Sequence, residues 1–559
     1  MKRKTSELPT IVYTYGVRDP KDEAPIIDQM VKANRYYNRL IEIERTRREK
    51  DEALLQSDVE LNALVSERSL LVDRLEQLRT AIKAKKSKTR KANPDSSSEK
   101  SEIAAIKTKL SELSKRATEV RRRVRESLAD QRKAIREESF AAVRNARSES
   151  NTFWGTYLLV ERSAEQAAKS INMPKFKRFD GSGLVAVQVQ KGKKPEYMID
   201  IPKISDEVWN MSRSEQRKHT LVPVRFRIGS NDNGTPIWSE LVVRVHRPWP
   251  KDGVIKWAKL LRRRVGSGFH WELQLSVEHA RPAAKAGLRS AAIDLGWRRI
   301  DDDKMRVGFL YDFFGNSKEL LLPGDTSSAL EHIESLMAIR DRNFNEIKAW
   351  FSSWRSSVTI PEWMAETAKS VHVWRSPRRM AKMVVFWRYN RFDGDAEGFD
   401  KLEAWRKQDK HLWDWEANGR DKILARRRND YRVLAASLAE TYDTIFLEKM
   451  DLSEFAQKPS PEEKDVPSGF RYARAVAALS EFREVLGNAC SSRGTRLEFV
   501  DAKNTTKQCH LCFHINKFEN PEELVQLCES CEESWDQDYN AARNVLRLGS
   551  TGESLSNVA

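Results

Sequence analysis

The chain has 559 residues, of which 99 are Lys or Arg and 82 are Asp or Glu, so its formal net charge is +17. Both signs are interspersed, so we expect the basic excess to form surface patches that bind a polyanion. No run of eighteen apolar residues is present and Met1–Lys4 leads into no apolar signal core, which argues against a membrane protein. We therefore expect a multidomain protein of a reducing intracellular compartment, in keeping with its five cysteines.

The first element is a predicted strand at residues 9–17, where β-branched and aromatic residues alternate with others. From Ile26 to Trp154 the chain has no glycine and one proline, Pro94, in a turn-like segment. Apolar residues recur at spacings of three, four and seven on both sides of this turn, which predicts a long antiparallel helical hairpin. Its basic faces could bind nucleic acid, or they could be the solvated surface of a coiled coil.

Between Phe176 and Ala280 the apolar period becomes two, and glycine and proline punctuate the runs. This pattern predicts an antiparallel β-barrel, which the strand at 9–17 joins across the helical insertion. Side chains on one face of a strand point together, so a basic barrel face could follow a phosphate backbone. The candidate nucleic-acid contacts are Lys175, Lys177, Arg178, Arg225, Arg227, Arg244, Arg247 and Arg262, with Arg263 and Arg264 beside the last.

The segment from Ser327 to Tyr442 has a helical pattern and contains eight of the sixteen tryptophans. We interpret most of these tryptophans as the core of a helical module, because their spacing is helical and each can bury a large area. The alternative is that they stack on nucleic-acid bases beside the neighbouring arginines.

Three carboxylates stand in positions that indicate a nuclease centre. Asp294 interrupts the apolar strand pattern Ala291–Trp297, and Glu448 interrupts the pattern Thr444–Leu452. A buried carboxylate needs a partner or a metal, and Asp538 at a helix start supplies a third ligand. The three predict an RNase H-like site with two Mg²⁺ (or Mn²⁺) ions about 3.5–4 Å apart, one activating water and one stabilising the leaving oxygen. Each acid alone could be a surface carboxylate at a strand end.

Four cysteines form two CxxC pairs, Cys509 with Cys512 and Cys528 with Cys531, with fifteen residues between the pairs. This spacing can place four thiolates tetrahedrally around one Zn²⁺ and predicts a structural zinc ribbon. The alternative is a set of reduced, buried thiols.

These motifs resemble a known family. The segments that resemble the split RuvC domain and zinc-ribbon insert of transposon TnpB proteins and type V CRISPR effectors are Ile293–Gly296, Phe446–Leu452, Thr505–Cys512 and Asp538–Ala542. Further segments are similar to the compact M subtype of these effectors: Phe179–Gln190, Val243–Arg247, Leu295–Arg298, Val373–Arg379 and Glu416–Arg420.

The resemblance implies a multidomain α+β fold of two lobes. One lobe is a wedge-type β-barrel with the long helical hairpin inserted as a recognition domain, and the other is a RuvC domain, an RNase H-like α/β fold with a helical insertion and the zinc ribbon. The implied boundaries are wedge barrel 1–25 and 171–285, recognition domain 26–170, RuvC 286–325, 441–505 and 534–550, helical Trp-rich insertion 326–440, zinc ribbon 506–533 and tail 551–559.

The function that the resemblance implies is that of a CRISPR RNA-guided effector of the prokaryotic cytoplasm. Such an effector, expected as a monomer, binds a guide RNA (crRNA) and double-stranded DNA beside a T-rich PAM, and opens the DNA into an R-loop. Effectors of the M subtype are associated with silencing by DNA binding, and their RuvC acids tend to be altered. This chain keeps Asp294, Glu448 and Asp538, which favours metal-dependent cleavage or nicking of DNA, or processing of precursor guide RNA.

Three alternatives remain open from the sequence. The first is an RNA-guided binder that silences its target without cutting DNA. The second is a transposon-associated nuclease guided by an RNA from its own mobile element. The third is a DNA-binding structural protein with a decayed nuclease fold.

Overall fold

The computed structural model describes residues 9–18, 20–88, 97–170, 172–189, 194–231, 233–280, 282–301, 304–452, 468–501, 503–517 and 523–552. The chain divides into two compact units. The first unit comprises Thr10–Arg263 and His270–Glu278, and the second comprises Met1–Pro9, Arg264–Phe269 and His279–Ala559. No helix within the described ranges is both long enough and apolar enough to cross a membrane.

Apolar side chains pack the long helices of the first unit against one another. The helices of this unit are α1 (Ala24–Gln56), α2 (Val59–Lys88), α3 (Ser97–Ser127), α4 (Ala129–Glu149), α5 (Trp154–Ala168), α6 (Asp206–Trp209) and α7 (Arg213–His219). α2 and α3 pack in antiparallel directions, since Leu64 shares a buried cluster with Leu113 while Leu78, further along, clusters with Ile106. α1 packs instead against α4 and α5.

The break between α1 and α2 follows from local capping. Asp58, between the two helices, accepts a hydrogen bond of 2.8 Å from the backbone N–H of Leu61 and so begins a new helix. Over its described residues, the helical segment is five helices in succession, with one antiparallel pair, α2 and α3, inside it.

The strands of the first unit form an antiparallel sheet in the order β2-β6-β7-β1-β5-β4-β3. They are β1 (Thr10–Arg18), β2 (Gly183–Gln188), β3 (Ile199–Asp200), β4 (Leu221–Ser230), β5 (Pro236–Arg244), β6 (Val254–Val265) and β7 (Gly268–Glu278). β1 pairs with both β7 and β5, so the prediction that the N-terminal strand joins this sheet is confirmed. Inward-facing residues of these strands, such as Phe226 and Leu273, form the core.

The prediction of a closed barrel is wrong for the described strands, because β2 and β3 end the sheet without pairing with each other. A helix covers the free edge of β2. The hydroxyl of Thr156 on α5 accepts a hydrogen bond of 2.9 Å from the Ala186 N–H and donates one of 3.3 Å to its carbonyl. The preceding Gly155 permits this approach, because a Cβ there would lie 2.3 Å from the Ala186 carbonyl oxygen. The N–H and carbonyl of Ala186, which a closing strand would pair with, are thus already satisfied.

The second unit is built on a five-stranded sheet in the order β10-β9-β8-β11-β12. Its strands are β8 (Ser290–Asp301), β9 (Lys304–Asp312), β10 (Ser317–Leu322), β11 (Thr444–Glu448) and β12 (Arg496–Val500). β11 pairs in parallel with β8 and β12, whereas β8–β9 and β9–β10 are antiparallel. A further pair, β13 (Val525–Leu527) with β14 (Ser534–Asp536), lies near the cysteines.

Helices cover both faces of this sheet. The helices of the second unit are α8 (Gly324–Trp354), α9 (Glu362–Ala368), α10 (Pro377–Trp387), α11 (Ala396–Thr441), α12 (Ser468–Ala477), α13 (Leu479–Arg493) and α14 (Gln537–Thr551), and those that cover the sheet include α11, α13 and α14. On one face Tyr431 and Phe482, from α11 and α13, pack in the main core. On the other face α14 packs through Val545 against Ala292 and Phe446.

The tryptophan-rich segment forms a separate core from α8 to α11. Six of its eight tryptophans belong to that core, in agreement with a packing role, while the ring of Trp415 is half exposed. Buried Asp395 anchors the module by accepting hydrogen bonds from Trp387 Nε1 (2.7 Å), Arg391 Nη2 (2.7 Å) and the Phe392 N–H (3.0 Å). Arg391 chiefly holds the pKa of Asp395 at about 2.

We expect Asp395→Ala to lower the free energy of unfolding of this module by about 2–4 kcal/mol, because the Trp387 N–H and the Arg391 guanidinium lose their acceptor. Urea unfolding followed by tryptophan fluorescence measures this. The lowered pKa means that the contribution is full above about pH 4 and is lost as the pH falls towards 2. The control is exposed Asp393→Ala, which should change stability by less than about 0.5 kcal/mol. Equal losses in the two variants would contradict this role of Asp395.

Candidate acidic site and cysteine site

Two of the predicted acids lie side by side because β8 and β11 run in parallel. An ion pair fixes where these strands begin: the Asp443 carboxylate accepts hydrogen bonds from the Arg289 N–H (3.2 Å) and guanidinium Nη2 (3.0 Å). The register that pairs Leu447 with Ile293 then puts Glu448 level with Asp294. Ile293 belongs to the main core, so Asp294 projects from the opposite face, on which α14 packs.

The third predicted acid, Asp538, lies in the first turn of α14. Asp536 caps this helix, because its Oδ1 accepts hydrogen bonds from the N–H groups of Asp538 (2.8 Å) and Tyr539 (3.2 Å). The helix lies close on the sheet: a Cβ at Gly549 would come within 2.4 Å of the Phe446 ring. The carboxylate of Asp538 therefore faces β8, the strand that carries Asp294.

The electrostatics of Asp294 show that the acids are near one another. Burial raises its pKa well above the usual range, and the charges of Asp538, Glu448 and Asp536 raise it further, whereas Arg306 lowers it. Burial also raises the pKa of Glu448. The structure thus brings the three predicted acids together and adds a fourth, Asp536, which the sequence reasoning missed although its position before a helix is typical of a cap.

An arginine also belongs to this cluster and was not predicted. Arg306 on β9 is 3% exposed, and its Nη1 donates hydrogen bonds to Asp538 Oδ2 (2.7 Å) and Asp536 Oδ2 (3.0 Å). Its Nη2 bonds to Glu319 on β10. Burial opposes the charged guanidinium, but these carboxylates outweigh burial and raise its pKa. The sequence signal was a charged residue inside the otherwise apolar strand of β9.

The donor set suits a hard divalent cation, because carboxylate oxygens are what Mg²⁺ and Mn²⁺ prefer. Asp294, Glu448 and Asp538 are the residues that would hold such ions. The charges of Asp538, Glu448 and Asp536 all act on Asp294, and a cation would relieve that repulsion. The fit is incomplete in two respects: Asp538 Oδ2 already accepts a hydrogen bond from Arg306, and the carboxylate oxygens of the three acids do not all lie within 4.8 Å of one another.

The four cysteines of the CxxC pairs converge on one point. Their four sulfur atoms all lie within 4.8 Å of one another. In the described part of the chain, this is the group of three or more His, Cys, Asp or Glu residues that meets this distance. The Sγ atoms of Cys509 and Cys531 are 3.6 Å apart, and those of Cys512 and Cys528 are 3.5 Å apart. Tetrahedral sulfur ligands at about 2.3 Å from Zn²⁺ would be about 3.8 Å apart, so the thiols fit one such ion.

Both CxxC pairs adopt the same turn. In the first, the N–H of Phe513 donates to the Cys509 carbonyl (3.0 Å), and in the second the N–H of Glu532 donates to the Cys528 carbonyl (3.1 Å). Phe513 and Glu532 each take a left-handed backbone, with φ of 63° and 59°. The repeated geometry turns two sulfurs of each pair towards the same point.

Backbone N–H groups also point at the sulfurs. The N–H of Leu511 lies 3.4 Å from Cys509 Sγ, and that of Ser530 lies 3.4 Å from Cys528 Sγ. Burial acts to raise the pKa of Cys528, but hydrogen bonds from the N–H groups of Cys531 and Ser530 outweigh it and lower the pKa to about 6. At Cys528 these donors favour the thiolate, the form that binds metal.

Two buried asparagines join the cysteine site to α14. Asn540 Nδ2 donates to the Gln508 carbonyl (2.8 Å), and its Oδ1 accepts from the His510 N–H (2.9 Å). Asn544, one turn later, donates to the same Gln508 carbonyl at 2.7 Å. The segment that leads into Cys509 is therefore held by the helix that carries Asp538. Sequence reasoning used the Asn540 motif only as a helix signal.

Part of the predicted basic surface is on the outer face of the first unit's sheet. Arg225 and Arg227 alternate with the buried residues of β4, and Arg244 is exposed at the end of β5. The Arg225 guanidinium lies 4.8 Å from the centre of the Trp238 ring and 3.9 Å from Asp200.

Three of the predicted basic residues are not on a strand at all. Lys175, Lys177 and Arg178 are exposed in the loop before β2. The Asn38 side chain on α1 fixes this loop by accepting from the Lys177 N–H (2.8 Å), and Lys177 Nζ lies 4.0 Å from the centre of the Tyr37 ring. They form a basic loop separate from the outer face of β4.

The remaining arginines are tied to the protein itself. The Arg262 side chain is 12% exposed, donates to the Gly181 carbonyl (2.8 Å) and pairs with Glu23 (3.2 Å), so it is largely engaged within the protein, and its contact with nucleic acid stays a prediction. Arg247 lies 5.0 Å from the centre of the Tyr13 ring. Arg263 pairs with Glu272 at 3.6 Å, and Arg264 Nε donates to the Gly266 carbonyl.

Comparison with known proteins places the chain in a family. A family model described as Cas12f1-like, TNB domain matches residues 480–545. The chain is 36% identical over 443 residues to the CRISPR-associated DNA-binding protein Cas12m of Thermanaerosceptrum fracticalcis. The matched region covers 75% of this chain and 73% of that protein. It is 31% identical over 549 residues to the Cas12m of Allomeiothermus silvanus, with 96% of each chain covered. The chain belongs to the Cas12m family.

The expected membership among type V CRISPR effectors of the M subtype is therefore confirmed. Looser likenesses connect this Cas12m family member to solved structures. One is a Cas12f1-sgRNA-target DNA complex, with 13% identity, a TM-score of 0.36 and coverage of 96% of this chain and 98% of that one. Another is the mini-RNA-guided endonuclease CRISPR-Cas_phi3, with 10% identity, a TM-score of 0.38 and coverage of 98% and 93%.

We expect this Cas12m family member to purify with about one zinc ion per chain, measured by elemental analysis, because the four thiols fit one tetrahedral ion. Cys531→Ser leaves three sulfur ligands and should lose most of the metal and lower the melting temperature. The control is Cys490→Ser, since Cys490 is buried in the core of the five-stranded sheet and should leave zinc content unchanged. Full zinc content in Cys531→Ser, or none in the wild type, would contradict the assignment.

Proposed function

We propose that the chain is an RNA-guided effector that binds a guide RNA and PAM-flanked double-stranded DNA, and that opens the DNA into an R-loop. The observation that carries this proposal is its membership of the Cas12m family, in which both relatives above are named CRISPR-associated DNA-binding proteins. The net charge of +17 supports it, because a guide and its target strand present a long row of phosphates.

In this proposal, base pairing between guide and target reads the sequence, while the protein reads the PAM and the shape of the backbone. A T-rich PAM, action as a monomer and action in the prokaryotic cytoplasm remain predictions. Exposed Arg225 and partly exposed Arg227 on the outer face of β4, and the basic loop at Lys175–Arg178, are our candidate contacts to phosphate. We assign the first unit's helices to the recognition domain and its sheet to the wedge domain.

A second activity, phosphodiester hydrolysis, is favoured by one observation: Asp294, Glu448 and Asp538 are all present and face one another on one side of the sheet. In the five-stranded sheet, β8 is central and lies between parallel β11 and antiparallel β9, with β10 and β12 at the edges. This order is typical of the RNase H-like fold, so we assign the five-stranded sheet to a RuvC-like domain. The tryptophan-rich module is then its helical insertion and the cysteine site its zinc ribbon.

The residues of this site have separable roles in the proposed hydrolysis. Bound divalent ions would supply the activated water and stabilise the leaving oxygen. Asp294 and Glu448, fixed by the β8–β11 register, hold their side of the site rigidly. Asp538 is positioned by the Asp536 cap and by the packing of α14, and Arg306 neutralises part of the charge of both aspartates. Precursor guide RNA or DNA would be the substrate.

The test is reconstitution with the RNA that copurifies with the chain and a plasmid library that carries a matched target beside random flanking sequence. We expect retention of the matched plasmid at nanomolar protein, dependent on the guide and on the flanking sequence. Asp294→Ala should retain the plasmid equally well, because the affinity comes from base pairing and backbone contacts.

Hydrolysis is scored in the same samples with Mg²⁺ or Mn²⁺ on both target DNA and precursor RNA. Any hydrolysis should disappear in Asp294→Ala. Retention without hydrolysis would identify a silencer that only binds. Equal retention without guide would contradict the proposal and favour the DNA-binding structural protein. The sequences next to the gene distinguish the transposon-associated nuclease: a CRISPR array would favour the proposal, and transposon ends would favour that nuclease.

We also expect the double variant Arg225→Glu and Arg227→Glu to weaken nucleic-acid binding at least tenfold at 150 mM salt, and to make the slope of log affinity against log salt shallower by about 2. The reason is that both guanidinium groups lie on the outer face of β4. The control Lys251→Glu changes a side chain that is 84% exposed on the same unit, outside the predicted contacts. Equal effects of the two replacements would remove the β4 face from the interface.

A further inference from the structure

Arg306 donates hydrogen bonds to two carboxylates of the acidic cluster, those of Asp536 and Asp538. Its backbone is held in place by the strands on either side. β9 is held between β8 and β10, and the neighbours of Arg306 on the strand, Met305 and Val307, are buried in the main core. The side chain is 3% exposed. A guanidinium so placed is a permanent charge within the cluster, in contrast to a surface arginine that can turn into solvent.

The contacts of Arg306 overlap the place of a metal ligand. Asp538 Oδ2 is 2.7 Å from Arg306 Nη1, whereas a Mg²⁺ ion binds a carboxylate oxygen at about 2.0–2.1 Å. The same guanidinium also donates to Asp536, so it orients both the capping residue of α14 and Asp538 in the first turn of that helix. Arg298 Nε, 4.0 Å from Asp538 Oδ2, adds a second positive charge nearby.

We infer that Arg306 is a built-in counter-cation that competes with divalent metal for Asp538 and so restrains the metal-dependent activity of the site. This inference rests on the proposed RuvC-like role of Asp294, Glu448 and Asp538. An ion that binds Asp538 through Oδ2 competes with Nη1 for that oxygen, and the repulsion between the two positive charges favours displacement of Nη1. Glu319, on the neighbouring strand, retains the guanidinium through Nη2 while that happens.

The charges explain why such a residue would restrain metal rather than merely coexist with it. The carboxylates of Asp538, Glu448 and Asp536 all act on Asp294 in a partly buried site, and Arg306 opposes them. A divalent ion and a guanidinium relieve the same repulsion, so each lowers the gain from the other. Removal of the guanidinium therefore increases the gain from binding metal.

The test measures Mn²⁺ binding to the full-length, zinc-loaded chain by the electron paramagnetic resonance signal of free Mn²⁺. Arg306→Met removes the charge and keeps an unbranched side chain of similar length, so we expect Mn²⁺ to bind at least tenfold more tightly than in wild type. The matched control Arg306→Lys retains the charge and should bind Mn²⁺ within about threefold of wild type. Adding Asp538→Asn to Arg306→Met should abolish the gain, which locates it at the acidic site.

A second readout is stability. The melting temperature of Arg306→Met should fall without metal and recover on addition of Mn²⁺, whereas wild type and Arg306→Lys should respond weakly. If Arg306→Met does not fold, Arg306→Gln keeps a donor for Asp538 and removes the charge, and the same gain is expected. Equal or weaker Mn²⁺ binding in the charge-removing variant would overturn the inference.

The outcome is distinguishable from failure of the proposed function. Guided retention of the matched plasmid by wild-type protein tests that function and needs no Mn²⁺ measurement. If retention fails while Arg306→Met gains Mn²⁺ affinity, the counter-cation is supported and the guided function is not. If retention succeeds and the affinity gain is absent, the guided function stands and Arg306 is only a structural partner of Asp536 and Asp538.

Discussion

The parallel pairing of β8 with β11 is the contact on which the acidic site depends. Arg289 and Asp443, which start these strands, are 154 residues apart in the chain and are joined by an ion pair and by backbone hydrogen bonds. Parallel strands require a crossover connection, and here the connection contains β9, β10 and the whole tryptophan-rich module. A shift of this register by one residue would turn Glu448 away from Asp294, since alternate residues face opposite sides.

The packing of α14 is the second constraint, and it couples two sites. Its first turn carries Asp538, while Asn540 and Asn544 hold the segment that leads into Cys509. Both asparagines are almost fully buried, so their amides must find partners, and the carbonyls before the first cysteine pair provide them. Metal at the thiols would therefore stabilise the position of a carboxylate that belongs to a different centre. This coupling gives a physical reason for the ribbon to precede Asp538 directly.

Charge compensation is the third feature of the second unit. Partly buried carboxylates at the sheet are met by Arg306, and buried Asp395 in the tryptophan-rich module is met by Arg391 and the Trp387 N–H. In both places the guanidinium comes from a neighbouring element or turn, and its partner lies within hydrogen-bond distance. The difference is that Arg391 lowers the pKa of Asp395, whereas burial raises the pKa of Asp294 and of Glu448.

The sequence by itself determined the features that depend on local pattern. Alternation predicted the N-terminal strand, helical spacing predicted the tryptophan core, and CxxC spacing predicted four sulfurs around one point. The acids Asp294 and Glu448 could be predicted because a carboxylate inside an apolar strand is costly without a partner. Their motifs also carried the family resemblance, which the relatives confirm.

Only the tertiary structure decided which elements meet. At the edge of β2, Thr156 bonds to Ala186 in place of a strand, so the described strands do not close into a barrel, and no periodicity in either segment encodes that contact. Arg262 turns inward to Glu23 and Gly181, and Lys177 belongs to a loop, because pairing and burial depend on residues far away in the chain. Arg306 is the clearest case: its sequence context shows a charged residue in a strand, but its partners come from β10 and α14, which only folding brings to it.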